Sequence, residues 1–549
     1  MAAVPTYVQV LLPVKLRWIP TYAAPAALEP GQRVCVELGH RRYDGVVWCR
    51  QERPELPPER IQPILSVRED LPRVTAEELR FWAFLADYYL CTLGEVYKAA
   101  YPLLKTRSEQ TAADILTRLQ ARLEKKNQQL AGKHNERVMQ RLTAERDALL
   151  AEIAGYCHSE RAGIAQSCHS ERSEESGSFG KPQDDNQEAR DGGKPQVRLG
   201  AAHREAFLPA IREALAAGRQ VLVLTPEIAF CDSMEAFLRP EFGPQLQLFH
   251  SGRTPVQRRH TAERLRSGVS ALVLGTRSAL FLPFRDLALV IIDEEQDPAY
   301  KQTEPAPRYH GRDAAIALAG IHGARVLLGA TVPSLETLLN IRSGKYALPP
   351  VAAPAPRAEV IDLAAERRKN GLVGNFSRKL IDAVRQSSGP VLLLRGWEKP
   401  EALQEEADTL FPGRDIRIKT LAALKREGAD GTAILAVMQA DALISRDDFR
   451  ADERAAQLLG TLGLFAPHIL VQTGVPARFS GERSLDDLLA ERQQFGFPPC
   501  TRLVELRRQG SGEILERHFL PRDRSLAARK ADLVSQLATD TYLDVDPLD

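Results

Sequence analysis

No run of 18 or more apolar residues occurs anywhere in this chain, so no bilayer-spanning helix is expected. The opening residues Met1–Val14 lack a basic segment followed by a long apolar core, which predicts neither export nor membrane insertion. Cysteine is sparse. Cys35, Cys49, Cys91, Cys157, Cys168, Cys231 and Cys500 form no Cys-x-x-Cys pair, which argues against a ribbon-type zinc site and fits a reducing, cytoplasmic compartment. Surplus charge is missing as well: 73 Lys and Arg face 72 Asp and Glu, a net of +1, so any contact with a polyanion must be local. The phosphate loop Gly-x-x-x-x-Gly-Lys-Ser/Thr, whose amides, Lys and hydroxyl hold nucleotide phosphates and Mg²⁺, is absent too. Every Gly-Lys pair fails at the next residue, namely His134, Pro182, Pro195 and Tyr346.

A chain of 549 residues exceeds what one hydrophobic core supports, which predicts several domains. Residues 1–105 contain short β-type runs, Tyr7–Leu12, Arg33–Leu38 and Gly45–Cys49, then an amphipathic helix over Ala76–Leu90, and read as a β-rich domain. Residues 106–156, free of Pro and rich in Ala, Leu, Glu, Lys and Gln, read as a solvated helical segment. Over 157–198 large apolar residues almost vanish and Cys-His-Ser-Glu-Arg occurs twice, at Cys157 and Cys168. That composition predicts an unstructured, repeat-like insertion; adjacent Cys-His pairs make a poor tetrahedral zinc site. From 199 onward, apolar runs (Val221–Leu224, Leu246–His250, Ala271–Leu274, Leu287–Ile292, Arg325–Leu328) alternate with helical stretches such as Glu205–Ala217, which predicts parallel βαβ units with chemistry at the carboxyl ends of the strands.

One such run, Leu289 to Ile292, ends in Asp293-Glu294-Glu295-Gln296-Asp297. In a nucleotide hydrolase this is a Walker B element, with Asp293 helping to hold Mg²⁺ and Glu294 orienting the attacking water; the bland alternative is a buried strand entering an acidic loop. Its neighbours favour the first. Thr225-Pro226-Glu227-Ile228, His250-Ser251-Gly252, Gly275-Thr276-Arg277-Ser278-Ala279 and Gly329-Ala330-Thr331-Val332-Pro333-Ser334 each follow an apolar run, where Gly permits close approach to a phosphate and hydroxyls or Arg277 bind its oxygens without reading bases.

The run Gly275-Thr276-Arg277-Ser278-Ala279-Leu280-Phe281-Leu282-Pro283-Phe284, the acids at 293–295, Tyr300-Lys301-Gln302 and Arg308-Tyr309-His310-Gly311-Arg312-Asp313 together resemble the PriA family of replication-restart helicases. Pro102-Leu103-Leu104, Glu491-Arg492, Phe497-Pro498-Pro499 and Leu543-Asp544-Val545-Asp546-Pro547 extend the resemblance toward both ends. It implies a multidomain α/β fold: an N-terminal domain that grips a 3′ DNA end (1–105), RecA-like helicase lobes at 199–348 and 349–475, the second reduced, and a small α+β C-terminal domain at 476–549. It implies bacterial, nucleoid-associated work on forks and D-loop-like branched DNA, beside other primosome proteins, a replicative helicase loader and single-stranded-DNA-binding protein. Tyr22, Gly39, Gly275, Thr276, Arg277, Lys301, Arg308 and Tyr309 are the DNA-binding candidates; Tyr309 could equally support the helix starting near Arg312.

Departures from the family pattern matter as much. The family's cofactors, ATP, Mg²⁺ and zinc, are expected to be lost, since neither the phosphate loop nor a cysteine cluster after Val391–Gly396 is present. Leu458–Phe465 has no arginine motif, and Gln296 stands where the family usually has His. Pro20, Thr21 and Gln62 depart from the 3′-end pocket. The expectation is a restart factor that binds branched DNA with Asp293 and Glu294 vestigial. The alternatives are an active 3′-to-5′ helicase using an atypical loop around Gly200, and a decayed homologue.

Overall fold

The computed structural model describes residues 6–104, 143, 193–348 and 358–548, apart from 52, 53, 55, 201, 430 and 445–447. Two compact units divide the chain. Met1–Arg68, Arg73–Leu103 and Gln187–Asp549 form the first; Glu69–Pro72 with Leu104–Asn186 form the second, which falls almost wholly outside the described residues. The helical segment expected over 106–156, residue 143 excepted, and both Cys-His repeats lie outside them too.

Alternating apolar residues build the N-terminal sheet. Strands β1 (Thr6–Leu11), β2 (Thr21–Ala24), β3 (Arg33–Leu38), β4 (Arg41–Gln51) and β5 (Ser66–Val67) pair in the antiparallel order β2-β1-β4-β3-β5. Val8, Val10, Val34 and Val36 point to one core, as a period of two requires. The β3–β4 turn places Gly39 and His40 at φ 56° and 62°, the left-handed pair that a two-residue hairpin needs. Helix α1 (Ala76–Tyr88) starts on a Thr75/Glu78 capping box and buries Leu79, Phe81, Trp82 and Leu85; α2 (Leu93–Leu104) follows, with Tyr97 stacked on Trp82.

The first lobe is a six-stranded parallel sheet. Its strands β6 (Gln196–Leu199), β7 (Gln220–Leu224), β8 (Leu246–Phe249), β9 (Leu272–Gly275), β10 (Leu287–Ile292) and β11 (Arg325–Ala330) run β6-β11-β10-β7-β9-β8. Both β7 and β10 are buried along their whole length, as expected of strands covered on two faces. The covering helices are α3 (Leu208–Ala216), α4 (Ile228–Phe242), α5 (Pro255–Arg266), α6 (Gly311–His322) and α7 (Leu335–Arg342). One expectation is corrected here. Gln196–Arg198, read from composition as the tail of an unstructured insertion, belong to β6, because Val197 is fully buried and the segment pairs with Leu327–Ala330.

The second lobe, though short, keeps a complete parallel sheet. Strands β12 (Ala358–Asp362), β15 (Val391–Leu394), β16 (Ile416–Lys419), β17 (Ile434–Val437) and β18 (His468–Thr473) run β12-β18-β17-β15-β16, beside a hairpin of β13 (Leu372–Val373) and β14 (Phe376–Ser377). Leu392 and Val437 face one apolar core, Leu393 and Ala436 another, so helices α8 (Leu363–Lys369), α9 (Arg378–Gln386), α10 (Pro400–Leu410), α11 (Leu421–Glu427), α12 (Ala451–Leu462) and α13 (Pro476–Phe479) cover both faces. Helix α14 (Leu485–Phe495) returns to the first lobe, packing Leu488 and Leu489 against Leu335 and Leu338 of α7. Strands β19 (Thr501–Arg508), β20 (Ile514–Pro521) and β21 (Thr541–Val545), in the antiparallel order β20-β19-β21 with α15 (Leu526–Ser535), complete the C-terminal part. This is the multidomain α/β class expected, with an antiparallel N-terminal domain, two parallel lobes and a small α+β C-terminal domain. Among the described residues no helix is long and apolar enough to cross a membrane.

Candidate functional site

Strand β10 delivers Asp293 to the carboxyl end of the first sheet, where its amide bonds the Leu224 carbonyl and the Glu295 amide bonds that of Gly329. Backbone on both sides fixes the acidic box. Tyr300, fully buried, places its hydroxyl 2.9 Å from the Leu224 carbonyl and 2.7 Å from that of Asp293, pinning the turn from beneath.

The segment after β6, where a phosphate loop would lie, fills the space in front of Asp293 with side chains. His203 Nδ1 lies 2.8 Å from the Gly200 carbonyl and Nε2 lies 2.7 Å from Asp293 Oδ1, the pattern of an imidazolium donating on both sides. Arg204 donates to Asp293 Oδ2 from Nε (3.0 Å) and from its terminal nitrogen (2.7 Å). Burial alone would raise the Asp293 pKa, but Arg204 and His203 outweigh it and hold the carboxyl below its usual range. His203 moves the other way: burial pulls it down, yet its hydrogen bond to Asp293 and the charges of Asp293 and Glu294 raise it. A β-carbon at Gly329 would stand 2.4 Å from the His203 ring, so this packing requires glycine on β11.

Every other acid of the box also has an internal partner. Gln296 donates to Glu294 Oε2 at 2.6 Å, while burial and the neighbouring Asp293 charge push Glu294 up. Glu295 accepts from Arg312 (2.9 Å) and from the amide and hydroxyl of Ser334 (2.8 and 2.9 Å), tying the loop after β11 to the box. Asp297 caps the turn at Ala299 and forms an ion pair with Lys425 of α11 at 2.6 Å, so its partner comes from the second lobe.

Mg²⁺ takes hard oxygen ligands in near-octahedral geometry and a nucleotide brings it phosphate. Here both Asp293 oxygens already face cationic side chains. His203, Asp293 and Glu294 bring one ligand-type atom each within 4.8 Å, but Arg204 on the same carboxylate makes the group an ion-pair cluster, and these residues do not fit a Mg²⁺–nucleotide complex. Nor do the described cysteines fit zinc: Cys35, Cys49, Cys91, Cys231 and Cys500 form no disulfide and no cluster of metal-ligand type among the described residues.

A family profile for the PriA 3′DNA-binding domain (3'BD) matches residues 9–102, the β-rich N-terminal domain. The replication restart protein PriA of Haemophilus influenzae is 36% identical over 236 residues, which covers 38% of this chain and 32% of the relative. That of Rickettsia felis is 26% identical over 394 residues, 69% of this chain and 51% of the relative. Over these regions the chain is similar to the PriA family. It spans about a third to a half of the length of these curated relatives. Among solved structures, RecG bound to a three-way DNA junction is similar at TM-score 0.36 and 16% identity, covering 62% of this chain and 47% of that one.

The PriA-type loop is built into the protein. Lys301 Nζ donates to Asp544 Oδ1 and to the Arg308 and Val545 carbonyls, each at 2.7 Å, and is 5% exposed. Arg308 lies flat over Tyr542, 3.6 Å from its ring centre. Tyr309 is buried beneath Tyr89 and Phe281 and donates to the Arg277 carbonyl. The loop thus clamps β21 onto the first lobe.

Tyr22 is buried too, donating to the Glu37 carbonyl at 3.0 Å, with burial raising its pKa to about 12. Gly39 sits on the exposed β3–β4 turn. At Gly275 a β-carbon would stand 2.3 Å from the Phe249 carbonyl; Thr276 and Arg277 follow half-exposed, and Arg277 has one terminal nitrogen without a partner. Sequence reasoning assigned no role to His203, Arg204 or Arg312. Two basic residues three and four positions after Gly200, in the phosphate-loop place, were the available signal for the first pair.

Proposed function

We propose that this chain is a replication-restart protein that binds branched or forked DNA without coupling binding to ATP hydrolysis. The single observation that carries the second half is the Arg204–Asp293–His203 cluster: side chains stand where a phosphate loop and Mg²⁺ would meet the acid. Asp293 and Glu294 are then remnants of a nucleotide site, held in the fold by structural bonds. DNA recognition rests on the similarity to PriA proteins and on the 3′DNA-binding match. Gly39 is exposed and Thr276 and Arg277 are half-exposed, enough to meet a backbone, with Arg277 supplying charge. Tyr22, Lys301 and Tyr309 serve by shaping these surfaces, and Arg308 through its place over Tyr542. Other primosome proteins, a helicase loader and single-stranded-DNA-binding protein are the proposed partners.

Mobility-shift titration tests this reading. Forked DNA with a 3′ nascent end is expected to bind more tightly than duplex of equal length, and Arg277→Ala to weaken binding on every sequence alike, with a smaller salt slope. Equal affinity for fork and duplex would overturn it.

A further inference from the structure

The first lobe, α12 and the C-terminal strands converge on a small cleft of about 50 Å³ whose lining includes Gln296, His310, Arg450, Glu453 and Arg522, and neither Asp293 nor His203. Most charges around it are already engaged. Arg312 lies on Glu295, Asp313 and, at 3.9 Å, Glu336. Asp546 faces Arg502 and accepts from the Leu503 amide. Arg454 pairs with Asp448. Glu453 accepts from the Leu335 amide at 3.0 Å and lies 3.6 Å from Arg492.

Arg450 differs from all of these. It is 6% exposed, and among the described residues its guanidinium has no hydrogen-bond or ion-pair partner; it lies 4.4 Å from the ring centre of Phe449. The five donors of this guanidinium carry no protein acceptor, which leaves them open to an anion. Two further groups await one. His310, nine-tenths buried, leaves Nδ1 without a partner, and Arg522 extends from the C-terminal part with its charge exposed. Thus Arg450, Arg522 and His310, from different parts of the chain, line one space.

We propose that this cleft binds a phosphate oxyanion, with Arg450 as its principal ligand and His310 and Arg522 as secondary contacts. The planar guanidinium fork matches phosphate oxygens pairwise, which favours this class over a point-charge partner. The inference stands independently of the DNA reading, because the phosphate can be a free anion or a nucleic-acid backbone.

Calorimetric titration of the full chain with pyrophosphate, and separately with a short oligothymidylate, tests it. Pyrophosphate is expected to bind saturably at millimolar concentration or below, and Arg450→Gln to weaken it by about tenfold, a loss in the range for one charge-assisted pair. Arg450→Lys, which keeps the charge without the fork, should recover only part, and His310→Asn reads the site without touching the guanidinium. Displacement of bound oligothymidylate by pyrophosphate assigns the site to a backbone phosphate; simultaneous binding assigns it to a free anion. Failure of both probes to saturate, or equal affinity in the wild type and Arg450→Gln, overturns the proposal.

Discussion

At the scale of single residues, Asp293 carries the account. Its carboxylate is fully buried, and the Arg204 charge is the largest single influence that compensates it, with His203 beside it. Arg204→Ala should therefore lower stability by about 1–3 kcal/mol, less than for a pair with no second partner because His203 remains. Urea denaturation of Arg204→Ala, Asp293→Asn and the double variant checks this: the two single losses should exceed the double loss when summed. Additive losses would mean that the pair is not coupled. Glu453 makes a second, separate case. Burial and then the Glu336 charge raise it from 4.5 to about 7, against the opposing pull of Arg492 and Arg450. The folded chain thus holds a proton there that the unfolded chain has released, so this contribution to stability falls as pH rises from about 4.5 through about 7. Glu453→Gln should be more stable than the wild type at pH 8 and lose that advantage toward pH 5, read as melting temperature across the range. A constant difference at all pH values would contradict it.

Elements show where the sequence was legible. Val34, Val36 and their neighbours alternate, and Leu287–Ile292 is a continuous apolar run, so β3 and β10 fall where periodicity and composition place them. Composition misled at Gln196–Arg198, where one apolar residue, Val197, suffices because an existing strand edge supplies the pairing. The loop from Tyr300 to Asp313 was visible as aromatic and basic, but the same residue types suit a DNA surface and an internal clamp, and only the arrival of β21 from more than two hundred residues away decides between them. His203 and Arg204 were visible as letters; their target, Asp293, lies ninety residues on and is brought near by parallel pairing of β6, β11 and β10.

Two element-scale outcomes follow from these contacts. Lys301→Ala leaves Asp544 buried without its cation, so hydrogen exchange should accelerate in Thr541–Val545 before it does in β7 or β10. Uniform acceleration would place the clamp elsewhere. Gly329→Ala drives a methyl into the His203 ring and should cost about 1–3 kcal/mol by chemical denaturation. An unchanged midpoint would show that the ring has room to move.

For the whole molecule, two parallel lobes and a C-terminal sheet accompany an N-terminal domain that matches the PriA 3′DNA-binding domain. The second lobe, short as it is, has apolar cores on both faces. Its Lys425 meets Asp297 of the first lobe directly, a contact that needs no nucleotide between them. The most direct measurement is hydrolysis of Mg²⁺–ATP by the full chain, with and without saturating forked DNA, alongside Asp293→Ala. Fork binding with no ATP turnover, and no difference between the two proteins in turnover, is the predicted result; fork-stimulated turnover that disappears in Asp293→Ala would contradict it.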